Sequence, residues 1–121
     1  MRKQWIILPM VLAVLLAAIA AGQDKKREAQ LRTVRGTVID KKDNAIASAV
    51  VYLKNLRTET AETHISDDTG HYGFSRLDPN VDYEIHAEHG DLTSPKRIIS
   101  SFDSRKEIVI ELKVDKKKGE K

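Results

Sequence analysis

Three groups of side chains in this sequence have the types and spacing from which a chemical site could be built. His86-Ala87-Glu88-His89 places two imidazoles and a carboxylate within four residues, a set that could hold zinc. On a strand, however, residues three apart face opposite ways, so His86 and His89 cannot reach one ion without a bulge, and the segment reads as a solvated strand face. Asp67-Asp68-Thr69 ahead of Gly70 offers oxygen donors, but fewer than the roughly six to eight that calcium takes, and reads as a turn. His64, Ser66 and Asp67 are the residue types of a nucleophilic triad; closeness in sequence does not set a base against a hydroxyl, and no Gly-x-Ser-x-Gly elbow is present. No catalytic, cofactor-binding or metal-ligating residue is therefore assigned, no cofactor is expected, and the chain is expected not to be an enzyme.

A length of 121 residues allows one small domain and is too short for a doubly wound cofactor-binding sheet or a (β/α)8 barrel. The formal charge of +3, from 21 Lys+Arg against 18 Asp+Glu, has to be divided along the chain before it says anything about partners. From Thr33 to Val114 there are 11 Lys+Arg and 14 Asp+Glu, so the middle is net acidic. The basic excess lies at the ends, in Lys25, Lys26, Arg27 and Arg32 and in Lys116, Lys117, Lys118 and Lys121. A nucleic-acid interface needs basic residues gathered on one face of the folded part, often between exposed aromatic rings; that pattern is missing, and no nucleic-acid partner is expected. Cysteine is absent, which removes disulfides, a thiolate nucleophile, Cys-based zinc sites and a lipid-anchor acceptor.

Arg2 and Lys3 precede an apolar stretch from Trp5 to Ala21 that ends in small residues. Ala18-Ile19-Ala20 is an A-x-A cleavage pattern and Ala20-Ala21-Gly22 a second. Residues 1–22 thus read as the hydrophobic helix of a secretory signal peptide, which makes the mature protein extracytoplasmic, periplasmic or secreted. The alternative is an uncleaved anchor with the folded part still outside, since the 17 residues of the stretch reach the short edge of a membrane span. Pro9 and the small-residue end favour cleavage, and a membrane is a partner only if the segment is retained. Residues 23–32 read as a charged linker and 115–121, with no apolar face, as a basic disordered tail.

Between them, over 33–114, the period is two. Val34, Gly36 and Val38 share one face of a first strand, and Asp40 to Asn44 forms a turn in which Asn44 best tolerates a left-handed backbone. A second strand from Ala49 to Leu56 sets Ala49, Val51 and Leu53 against Val50, Tyr52 and Lys54. A polar third, about Thr58 to Ser66, reads as an edge. After the Gly70 turn come a fourth strand with Tyr72 and Phe74, a fifth in which Tyr83, Ile85 and Ala87 alternate with Glu84, His86 and Glu88, a weaker one over Lys96 to Phe102, and a last from Glu107 to Val114. The expected core is Val38, Val51, Leu53, Tyr72, Phe74, Tyr83, Ile85, Ile108, Ile110 and Leu112. Seven short strands divided by turn residues make an all-β sandwich.

These pieces resemble the carboxypeptidase regulatory-like domains of the prealbumin (transthyretin-like) type. Gly36, Val38, Asp40, Ala49, Val51 and Leu53 match that family's opening motif; Asp67, Gly70, Tyr72, Phe74, Leu77, Pro79, Tyr83, Ile85 and Ala87 match its second half. Asn44, Ala45 and Ser48 stand where the pattern has Gly, Pro and Gly, and Asn80-Val81-Asp82 replaces a shorter Gly-containing link, which affects loops more than fold. The resemblance implies a seven-stranded prealbumin-like β-sandwich behind the signal helix, and an accessory or interaction module with an extracytoplasmic protein partner. Since Val51 and Leu53 are needed inside, Val50, Tyr52 and Lys54 are expected to form an outward binding surface. Carbohydrate binding is the alternative, with Tyr52 and Phe102 as ring platforms. A small hydrolase on a transthyretin-like fold comes third, because the chain lacks the C-terminal Tyr-Arg-Gly-Ser signature of the related purine-product hydrolases.

Overall fold

The computed structural model describes residues 31–119; the predicted signal helix and the linker up to residue 30 lie outside the described residues. Among the described residues ten short strands run in chain order: β1 (Arg32–Ile39), β2 (Val50–Asn55), β3 (Ala61–Ile65), β4 (His71–Leu77), β5 (Tyr83–His89), β6 (Leu92–Thr93), β7 (Arg97–Ile99), β8 (Glu107–Val109), β9 (Leu112–Lys113) and β10 (Lys116–Lys117). They form two sheets. The smaller has the order β4-β1-β8, with β9 also on β1; the larger has the order β10-β6-β5-β2-β3, with β7 also on β5.

The two sheets meet through the residues that the period of two turns inward. Val34 and Val38 of β1, Tyr72 and Phe74 of β4, and Ile108, Ile110 and Leu112 of the last segment face Val51 and Leu53 of β2 and Tyr83, Ile85 and Ala87 of β5. All the expected core residues are buried, with Ala49, Leu77, Val81, Ile99 and Val114 beside them. Each fully buried Leu, Ile or Val side chain contributes about 1.5–3 kcal/mol, which a domain this small needs in full.

Gly36 explains the most specific feature of the smaller sheet. A Cβ there would lie 1.8 Å from the Ile110 carbonyl oxygen, so only glycine lets the last segment cross β1 at this point. The Ile110 N–H donates to the Arg35 carbonyl at 2.9 Å, and its carbonyl accepts the buried Tyr72 hydroxyl at 2.6 Å. The expected single strand from Glu107 to Val114 is consequently broken into β8 and β9, although both parts pair with β1 in the same parallel register.

Arg32, placed in the linker by the sequence reading, is the first residue of β1 and only 2% exposed. Its guanidinium donates to the Ser100 carbonyl at 2.8 Å and the Val81 carbonyl at 3.1 Å, tying the start of β1 to two loops, while Nε has no hydrogen-bond partner among the described residues. Its phase is that of Val34, Gly36 and Val38, so the same alternation, carried back one step, turns it inward. The tail differs too: Lys116 and Lys117 pair with Thr93 and Leu92, and the Lys118 N–H donates to the Asp91 carbonyl at 2.8 Å. Backbone hydrogen bonds of this kind need no apolar side chains. In the first turn the left-handed residue is Asp43 (φ 66°), not Asn44, because the Asp40 carboxylate accepts the N–H groups of Lys42 and Asn44 and sets the turn one residue earlier.

Gly36→Ala is expected to destabilise the domain by about 3 kcal/mol or more, since backbone must move to admit the methyl group. Tyr72→Phe, which leaves the Ile110 carbonyl without its donor, should cost about 1–3 kcal/mol. Chemical denaturation of both variants beside the parent checks the order; equal stabilities would mean that the crossing does not constrain the fold.

Candidate functional site

The triad residue types do not converge. The Ser66 hydroxyl donates to the Ile46 carbonyl at 2.7 Å and accepts the Ala49 N–H at 2.9 Å, so it closes the entry to β2. The Asp67 carboxylate accepts the N–H groups of Thr69 and His71, both at 2.9 Å, which holds it below the usual carboxylate range, the His71 amide contributing most. His64 turns inward from β3, sets Nδ1 against the Gly73 backbone at 2.9 Å from its nitrogen and 2.7 Å from its carbonyl oxygen, and stands edge-on to Phe74. It therefore joins the margins of the two sheets, a role the sequence reading missed.

His86 and His89 lie on opposite faces of β5, as alternation requires. Among the described residues, no three His, Asp or Glu side chains are grouped to hold a metal ion. A cleft of about 90 Å³ opens between β3 and β4 over Leu53, Leu77 and Tyr83, with Thr60, Glu62 and Ser75 at its rim. Ligand pockets usually measure about 300–1,000 Å³, so this cleft takes a few waters or one small side chain.

The outer face of the larger sheet is where chemistry gathers. β2 and β5 are adjacent antiparallel strands whose register sets Val50 opposite Glu88, Tyr52 opposite His86 and Lys54 opposite Glu84. Val50, Tyr52 and Lys54 all point outward and are half-buried by these neighbours. The Tyr52 and His86 rings stack at 4.9 Å between centroids with 11° between their planes. Such a pair contributes about 0.5–1.5 kcal/mol beyond the area it buries. Two cations flank the patch, Lys96 at 3.7 Å from Glu84 and Lys118 at 3.7 Å from Glu88.

The charges set the protonation of both rings. The Glu88 carboxylate at its hydroxyl, helped by partial burial, pushes the Tyr52 phenol above its ordinary value. Desolvation lowers His86 and Lys96 adds to this, while Glu88 and Glu84 oppose it. Since the stack lies side by side across two strands, one face of the Tyr52 ring is covered by His86 and the rings present their edges outward. Phe102, the other ring considered as a platform, is 95% exposed on the loop after β7.

This sandwich carries a family signature over most of its length. Residues 33–112 match the carboxypeptidase regulatory-like domain, and the chain belongs to that family. No curated protein matches it significantly. Among solved structures it is similar to catechol 1,2-dioxygenase from Acinetobacter sp. ADP1 inhibited by bound mercury, with 9% identity, a TM-score of 0.53, and 71% of this chain covering 52% of that one. It is similar also to the dioxygenase domain of a dioxygenase carbohydrate-binding protein fusion from Streptomyces sp. SirexAA-E, with 10% identity, a TM-score of 0.52, and coverage of 70% and 79%. A third is the Bacillus anthracis TIE protein, with 14% identity, a TM-score of 0.51, and coverage of 71% of this chain and 16% of that one. The chain thus spans about half of the first and a small part of the third.

These likenesses correct the expectation that the chain is not an enzyme. Two of the three sandwiches belong to dioxygenases, so neither the fold nor the missing triad excludes catalysis. At 9–10% identity they establish the architecture and carry no dioxygenase residue onto this chain.

The lowered His86 has a consequence for stability. Between its folded value and the ordinary 6.5, the unfolded chain binds the proton and the folded chain does not, so stability rises with pH there and is lost as the pH falls through that window. Melting temperatures at about pH 7.5 and about pH 5.5 should therefore drop less in His86→Gln than in the parent. An identical drop would show that His86 does not contribute to the acid sensitivity.

Proposed function

We propose that this protein is an exported module that binds another protein through the outer face of its larger sheet, with Tyr52 and His86 at the centre and Val50 and Lys54 beside them. The observation that carries this reading is the stacked Tyr52–His86 pair: a rigid, half-buried aromatic and imidazole between Glu84 and Glu88 on a face the fold does not use for its own core. Interface centres favour rings of this kind, which lose little entropy on binding, within a polar rim. A sugar would need an open ring face, and the stack covers one of those of Tyr52.

Export rests on the sequence. Arg2 and Lys3, the apolar stretch and Ala18-Ile19-Ala20 are the parts of a cleavable signal. N-terminal sequencing of the protein recovered outside the cytoplasm should begin near Ala21 or Gln23; Met1 in a membrane fraction would favour the anchor instead.

Affinity capture with the parent and with Tyr52→Ala tests the surface. A specific partner should be lost roughly tenfold or more with the variant. Folding stability should fall by only about 1 kcal/mol, the worth of the stack. Equal capture would remove the surface from the reading, and binding on a glycan array that Tyr52→Ala abolishes would replace the protein partner with a sugar.

A further inference from the structure

The larger sheet ends at β3, whose five residues are all exposed. Its pairing with β2 uses one phase of the backbone. The Asn55 N–H donates to the Thr60 carbonyl at 2.8 Å and the Ser66 N–H to the Ala49 carbonyl at 2.9 Å, so residues 60, 62, 64 and 66 bond to β2. Ala61, Thr63 and Ile65 therefore turn their N–H and C=O groups away from the sheet. Other margins are managed: β10 is two lysines, and β4 is engaged at Gly73 by His64. β3 has no lysine, proline or bulge, only the inward-facing acid Glu62.

That acid limits what can pair. It resists a strand that sets an apolar or acidic residue opposite and accepts one that sets a hydrogen-bond donor there. We infer that β3 pairs antiparallel with β3 of a second copy of this chain, about a two-fold axis at Thr63. In this register Ala61, Thr63 and Ile65 face Ile65, Thr63 and Ala61 of the other copy, which joins the three outward-turned backbone positions of each strand to one another. Glu62 of one copy then lies across from the imidazole of His64 of the other, a ring that can offer an N–H to a carboxylate. Moving the axis one residue to Glu62 or His64 keeps the outward phase but sets two carboxylates or two imidazoles directly opposite each other at the axis. On the outer surface Ile65, 53% exposed alone, packs against Ala61 of the second copy. The two sheets become one, with two Tyr52 patches on the same side.

The chain contains no cysteine, so a single one reports on the axis. Thr63→Cys in the full chain should form a disulfide-linked dimer on mild oxidation, because hydrogen-bonded antiparallel partners sit about 5.5 Å apart at Cα, within disulfide reach. Asp68→Cys, in the exposed turn before β4, should stay free of disulfide cross-links under the same oxidation. Thr63→Pro, which removes an outward N–H and no bond to β2, should halve the sedimenting mass of the parent while keeping its β-sheet circular dichroism. Equal cross-linking at the two positions, a monomeric parent, or a Thr63→Pro chain that remains dimeric would each overturn the pairing.

Discussion

The close passage of Ile110 over Gly36 is the constraint on which the arrangement of this sandwich depends. A carbonyl where a side chain would otherwise be brings the last segment against β1 in parallel register, and Tyr72 supplies the donor that such a buried oxygen requires. From that contact Ile108, Ile110 and Leu112 follow into the interior at alternate positions, and the smaller sheet acquires a face broad enough to cover β2 and β5. Burial pushes the Tyr72 phenol above its ordinary value, so it stays protonated and remains a donor across the physiological range.

What the inner face requires decides what the outer face can be. With Val51 and Leu53 fully committed to the core, β2 has no freedom over where Tyr52 points, and the register with β5 brings His86 against it. Glu84 and Glu88 oppose the desolvation that lowers His86, yet burial outweighs them and the ring tends to the neutral form. A neutral imidazole can stack on a phenol without carrying a charge into a half-buried site, while the surrounding carboxylates are matched by Lys96 and Lys118.

The alternation in β1, β2, β4 and β5 was legible because each strand has one buried face and one wet one, the condition under which a period of two appears in sequence. The position of Tyr52 followed from Val51 and Leu53 for the same reason. Its partner did not: stacking on His86 depends on which strands are neighbours and in what register, and neither is written in β2 alone. Arg32 was hidden by its charge, since an arginine after a basic stretch looks like linker until its strand phase is counted. β6 and β10 were illegible because two-residue strands made of Leu-Thr and Lys-Lys have no pattern to read. The exclusion of catalysis failed for a different reason: an argument from residues adjacent in sequence says nothing about groups that a fold assembles from distant strands.

The location of the patch also bears on how it would work. Val50, Tyr52, Lys54, Glu84, His86 and Glu88 stand on two regular, directly paired strands and not on loops, with Leu53 and Ile85 beneath them fully buried. Side chains fixed in this way lose little freedom when a partner arrives, so a modest contact can be specific without being large. Loops in a sandwich can change length while such a face stays unaltered, because its spacing is set by the strand pairing that also holds the core. The core packing and the outer surface are therefore two sides of one constraint: a substitution that slips β2 by one residue against β5 would expose Val51 and Leu53 and bury Tyr52 and Lys54 in the same step.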